Sequence, residues 1–215
     1  MKTILLKDAA ALIPDGASVM IGGFMGVGTP ERLVDELVRQ GKRNLTVIAN
    51  DNALPGIGIG KLISAGAVKK TIASHIGLNP ETQKKMLAGE LEVDLVPQGT
   101  LIERIRAGGF GLGGVLTPTG VGTVVEKGKQ RIEVEGKPYL LETALRADFA
   151  LVEAFLADYI GNLYYALTAR NFNPVIAMAA DTVIVEADNI VPVGVIAPDQ
   201  VVTPAPVVDY IISHA

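Results

Sequence analysis

Asp15-Gly16-Ala17-Ser18-Val19-Met20-Ile21-Gly22-Gly23-Phe24-Met25-Gly26-Val27-Gly28-Thr29-Pro30 is the stretch that decides the fold. Ala17 to Ile21 is apolar and suits a buried strand. Gly22 to Thr29 is then bare backbone, which permits positive φ and lets a ligand come close to the main chain. Thr29 suits an N-cap, with Pro30 at the first helical position. Leu33, Val34, Leu37 and Val38 share one helical face, Gly41 stops that helix, and Leu45 to Ala49 is a second apolar strand. Strand, loop, helix and strand in this order predict an α/β fold with an open, mainly parallel sheet flanked by helices. Backbone N–H groups at the helix start would attract an anion, although Glu31 in the first turn opposes a phosphate sitting squarely there.

The alternation extends both ways. Lys7 to Ile13 reads as a short helix closed by the turn Pro14-Asp15-Gly16. Val68 to Ser74 and Leu91 to Val96 read as strands, and Asn79-Pro80 opens a helix that runs to Ala88 before Gly89. Thr100 to Glu103 fits a capping box that opens a helix to Arg106. Gly108 to Gly128 holds eight glycines in 21 residues, which leaves little room for regular structure. Arg131 to Val134 and Tyr139 to Glu142 flank a hairpin turn at Glu135-Gly136-Lys137. Phe149 to Ala154, Leu163 to Leu167 and Val183 to Glu186 read as further strands, and Asn173-Pro174 opens another helix. Neither an internal repeat nor a linker appears, so residues 1–215 are expected to form a single domain.

Composition narrows the function. The 215 residues carry 19 basic and 23 acidic side chains, a net charge of −4. The densest basic runs are Lys69-Lys70 and Lys84-Lys85, too short to track a phosphate backbone, so no nucleic-acid partner is expected. Cysteine is absent, which removes disulfides, thiol catalysis and thiolate metal sites. With two histidines, His75 and His214, no metal centre is expected. Charges interrupt the N-terminus at once, and the longest uncharged run, Ala107 to Val125, contains seven glycines and one proline. Neither a signal core nor a membrane helix is expected, and the reading is a soluble cytoplasmic protein.

Other chemistries fail on their motifs. G-x-S-x-G and G-x-x-x-x-G-K-[ST] are both missing. Gly109, Gly111 and Gly114 match G-x-G-x-x-G, but they follow a helix and precede none, so a dinucleotide-dependent oxidoreductase is not supported. His75, at the end of an apolar strand, reads first as a hydrogen-bonded structural histidine and second as a site-lining one.

The opening stretch closely resembles the first signature of the acetate/acetoacetate coenzyme A transferases, alpha subunit: D-G, an apolar run, then G-G-F-x-x-x-G-x-P. Ala49 to Asn52, Ala73 to Gly77, Pro97 to Gly109, Thr117 to Thr123 and Ala169 to Pro174 resemble that family in the same order. The likeness runs over residues 3 to 213. The family's second signature, S-E-N-G, carries the nucleophilic glutamate and is missing: none of Ser18, Ser64, Ser74 and Ser213 precedes a glutamate. The resemblance therefore implies a chain without the catalytic residue, paired with a beta subunit that supplies it, most simply as two alpha and two beta chains.

It further implies exchange of CoA between an acyl-CoA and a free short-chain carboxylic acid, in ping-pong fashion through a glutamyl-CoA thioester. No permanently bound cofactor is implied; CoA is a substrate. The loop Gly22, Gly23, Phe24, Met25, Gly26, Val27 and Gly28 is the CoA-binding candidate, at the pantetheine or thioester end. Asn50 and Gln98, each after an apolar strand, are the active-site-lining candidates, as neutral donors for an oxyanion. Gly108 to Gly122 is a candidate cover for the acyl pocket. Gly28→Val is expected to damage function more than stability. The alternative reading is a sugar-phosphate isomerase or sugar-binding regulatory module on a related α/β sheet.

Overall fold

The computed structural model describes residues 2–213. The first strands and helices are β1 (Lys2–Ile4), α1 (Leu6–Ala11), β2 (Ser18–Ile21), α2 (Glu31–Arg39), β3 (Leu45–Asp51), α3 (Ile59–Ser64), β4 (Val68–His75), α4 (Pro80–Leu87), β5 (Glu92–Leu95) and α5 (Gln98–Gly109). After them come β6 (Gly114–Thr117), β7 (Arg131–Val134), β8 (Lys137–Thr143), β9 (Ala147–Asp158), β10 (Leu163–Tyr164), α6 (Asn173–Ile176), β11 (Ala180–Val191) and β12 (Tyr210–Ile212).

The main sheet runs β1-β12-β11-β9-β2-β3-β4-β5, with every pair along that path parallel and β10 antiparallel on β9. The open, mainly parallel sheet expected from the sequence is present. Residues along a strand alternate between faces, and each face has its own apolar layer. Val19, Ile21, Val47, Ala49 and Leu151 pack with Leu33, Val34 and Leu37 of α2, and with Ile59, Leu62 and Ile63 of α3. Met20, Ile48, Ala150 and Val152 share the other layer with Leu101 and Ile105 of α5 and Ile176 of α6. Burying one such Leu or Ile is worth about 1.5–3 kcal/mol.

Gly108 to Gly128 is more regular than its composition suggests. Gly114–Thr117 forms β6, which pairs antiparallel with β8, while β7 and β8 make the expected hairpin. Two glycines of the G-x-G-x-x-G match, Gly109 and Gly114, have packing duties. A Cβ on Gly109 would lie 2.8 Å from Met178 Cβ, and one on Gly114 would overlap the Glu142 carbonyl. Helix α5 begins at Gln98, not at a Thr100 capping box. Thr100 Oγ1 is buried without a partner among the described residues, and Glu103 pairs instead with Arg106 at 3.1 Å.

From β2 the chain winds outward through β3, β4 and β5, and later fills the other side with β9, β11 and β12. The direction of winding reverses beside β2. Open parallel sheets form their ligand crevices off the carboxyl ends of the strands at such a reversal. The glycine-rich loop leaves β2 at that point.

Candidate active-site edge

The loop from Gly22 to Thr29 is held from three sides. Thr29 does not cap α2: its hydroxyl donates to the Gly22 carbonyl at 3.0 Å, closing the loop's neck. Asn173, fully buried, donates from Nδ2 to the carbonyls of Gly28 (2.8 Å) and Ala169 (2.9 Å). Its Oδ1 accepts from the Glu153 N–H at 3.1 Å. On the opposite side the Asp51 carboxylate accepts from the Met25 N–H at 3.1 and 3.2 Å.

These clamps leave little space inside. A Cβ on Gly22 would overlap the Asn173 amide. At Gly28, with φ +81°, a Cβ would lie 2.7 Å from Ala169 Cα and 2.9 Å from its Cβ. The expectation that Gly28→Val spares stability is therefore reversed. A branched side chain at positive φ, pressed on backbone, is expected to cost about 3 kcal/mol or more and to lower the melting temperature of the assembled protein. A Gly28→Val protein that melts like wild type but binds acyl-CoA weakly would restore the first expectation. The surfaces left to meet a ligand or partner are Phe24 and Val27, 45% and 55% exposed.

The start of α2 is not open to an anion. The Glu186 carboxylate already accepts from the N–H groups of Arg32 (3.2 Å) and Leu33 (2.9 Å). A phosphate on that helix end would have to displace an internal carboxylate.

Beside Glu186, in register on β9, stands Glu153. Its Oε2 is buried with no hydrogen-bond partner among the described residues. Burial pushes this carboxyl up to about 7, helped by neighbouring Asp188 and then by Glu186. Arg32, 3.4 Å from Glu186, is the nearby cation. A raised acid favours the folded state fully below the unfolded value of 4.5, and that contribution is lost as pH rises through about 7. Glu153→Gln is thus expected to gain on wild type between pH 5 and pH 8, by about 1–2 kcal/mol after solvent screening. Urea midpoints of both proteins at the two pH values check this, and a pH-independent difference would refute it.

Asn50 and Gln98 both lie at the carboxyl edge, on the side of the sheet covered by α5. Asn50 is buried, 3% exposed, and lies within β3 rather than in a turn after it. Its side chain does not bond its own backbone: Nδ2 donates to Asp51 at 2.9 Å, and the Ser74 hydroxyl binds the Asn50 carbonyl at 2.7 Å. Gln98 is exposed at the first position of α5, and its side chain makes no hydrogen bond among the described residues. Between them in strand order is His75, at the end of β4. Its ring is exposed and packed close to Gly77, and among the described residues it makes no hydrogen bond of the kind a structural histidine has. His214 lies outside the described residues.

Sequence reasoning missed Asp51, Asn173 and Glu153 as site residues. The available signal was a polar residue at the end of an apolar strand for Asp51, a helix-opening Asn-Pro for Asn173, and a carboxylate inside an apolar strand for Glu153. Among the described residues, no group of three or more His, Asp or Glu is placed to hold a metal ion, and no helix is long and apolar enough to cross a membrane.

The family model described as coenzyme A transferase matches residues 3–214. The chain belongs to the coenzyme A transferase family. This transferase chain is 59% identical over 211 residues to the acetate CoA-transferase subunit alpha of Escherichia coli K12, covering 98% of this chain and 96% of that one. It is 53% identical to the acetoacetyl-CoA:acetate/butyrate CoA transferase alpha subunit of Clostridium acetobutylicum, covering 99% and 98%. An acyl-CoA transferase of E. coli O157:H7, solved as a thioester complex with CoA, matches with a TM-score of 0.87 at 23% identity, over 98% of this chain but only 46% of that longer one. A variant of the decarboxylase AibA/AibB matches with a TM-score of 0.81 at 30% identity, over 99% and 83%.

Proposed function

We propose that this chain is the alpha subunit of a short-chain acyl-CoA:carboxylate CoA-transferase of the acetate, acetoacetate and butyrate class, working with a separate beta subunit. The observation that carries this is the near full-length identity to alpha subunits of that class. The missing S-E-N-G motif supports the division of labour: this chain brings a binding edge and the partner brings the nucleophile. The pair assembles most simply as two alpha and two beta chains, acts in the cytoplasm and holds no permanent cofactor. Residues 1–215 act as one unit, because both apolar layers share the one large sheet.

In the reaction, a partner glutamate oxygen attacks the thioester carbonyl, the C–S bond breaks, and CoA leaves as thiolate with an acyl-glutamyl anhydride behind it. The thiolate then attacks the glutamyl carbonyl, the anhydride C–O bond breaks, and the donor acid departs as carboxylate. The acceptor acid runs the two steps backwards. Each attack develops an oxyanion, for which Asn50 and Gln98 are neutral donors. The loop Gly22 to Gly28 takes the pantetheine or thioester end of CoA, a role supported by Glu186 already filling the start of α2.

The test is co-expression with the partner subunit, followed by CoA exchange between acetoacetyl-CoA and a panel of acids. Transfer to acetate and butyrate with ping-pong kinetics is expected. Decarboxylation of the substrate without CoA exchange would overturn the reading. Light scattering of the same preparation checks the four-chain assembly.

A further inference from the structure

We propose that Asp51 is a positioning residue that fixes the glycine-rich loop and the Asn50 amide as one unit. This rests on the proposed roles of that loop and of Asn50. The Asp51 side chain is buried, 5% exposed, and no cation lies within ion-pair distance among the described residues. Its charge is held by N–H donors alone. The Met25 N–H reaches both carboxylate oxygens, the Ala53 N–H reaches Oδ1 at 2.7 Å, and Asn50 Nδ2 reaches Oδ2 at 2.9 Å.

Two of these donors belong to residues with unusual backbone. Met25 and Ala53 both have φ +51°, a region that L residues with a side chain rarely occupy. Such conformations persist only where the surroundings over-determine them. Here one carboxylate holds both. Met25 belongs to the loop, 26 residues from Asp51 in sequence, so the bond joins two separate strand ends.

The third donor connects this clamp to the chemistry. An amide nitrogen has two N–H groups. Asp51 takes one from Asn50, and the other makes no hydrogen bond among the described residues. Orienting the first aims the second. A carboxylate suits this junction because it accepts several bonds and donates none. Asparagine has the same shape, but its NH2 would face a donor on one side.

The experiment uses the co-expressed complex with Asp51→Asn, Asn50→Ala and both together. Asp51→Asn is expected to lower kcat about 10–10²-fold, the scale of a small misplacement of reacting groups, and to raise KM for acyl-CoA. The double variant is expected to have the kcat of Asn50→Ala alone, because Asp51 acts on the chemical step through Asn50. A merely structural role would instead multiply the two losses. Multiplied losses, or wild-type constants in Asp51→Asn, overturn the proposal while the role of Asn50 stands. Wild-type kcat in Asn50→Ala removes Asn50 from the reaction and overturns the coupling with it. Should Asp51→Asn fail to assemble, Asp51→Asn with Met25→Gly carries the same comparison, since glycine adopts the loop conformation unaided.

Discussion

Purified without a partner, the chain is expected to give no CoA transfer above the uncatalysed rate, and to gain full turnover when the beta subunit is added. The nucleophile must be a carboxylate free to attack. None at this edge qualifies. Asp51 is tied up by backbone and amide donors, and Glu186 by the start of α2. Glu153 and exposed Asp188 remain, but by strand alternation both belong to the side of the sheet that carries α2, whereas Asn50 and Gln98 belong to the side that carries α5. The Glu153 carboxyl is also half protonated near pH 7 and crowded by Asp188. Apolar side chains beside the loop agree with a missing partner: Leu167 is 90% exposed and forms a shallow groove with Phe24 and Arg170. Exchange between acetoacetyl-CoA and acetate, measured with and without the partner, decides the point. Turnover by this chain alone would end the two-subunit reading.

The parallel core was legible because its strands are locally apolar. Val19 to Ile21 and Leu45 to Ala49 announce themselves within five residues. Elements whose reason is distant were not legible. β1 and β12 have three residues each and exist because they pair with one another across nearly the whole chain. β6 hides among glycines because its partner β8 lies more than twenty residues further on. β9 and β11 run to twelve residues each, well past the segments Phe149 to Ala154 and Val183 to Glu186 that suggested them, which already held Glu153 and Glu186. Those carboxylates interrupt the pattern where the strands pass the end of β2.

The glycine-rich loop after β2 was legible in its place more than in its packing. Glycine spacing placed the loop correctly, but the glycines answer to Asn173 and Ala169 inside the protein. The hydroxyls of Thr29 and Thr100 looked like caps because capping is a local rule. Each was overridden by tertiary packing, Thr29 by the Gly22 carbonyl and Thr100 by burial without a partner. A single sequence shows which polar residues stand near a strand end; it does not show which of them face each other.

Gln98→Ala is expected to lower kcat of the assembled enzyme about 10²–10³-fold, the usual loss for one oxyanion donor. Fold and assembly should be untouched. Gln98 is exposed, its side chain makes no hydrogen bond among the described residues, and helix α5 is anchored by buried Leu101 and Ile105. That separation gives the experiment its force: a side chain with no structural duty can lower kcat only through what it does to the bound substrate. Its position supports such a role, at the first turn of α5, one strand beyond His75 and two beyond Asn50. KM for acyl-CoA should change far less than kcat, because the developing oxyanion exists only after attack. Equal losses in kcat and in acyl-CoA binding would make Gln98 a binding residue. An unchanged kcat in a complex that melts like wild type would leave Asn50, with Asp51 behind it, as this chain's remaining candidate donor at the reacting carbonyl.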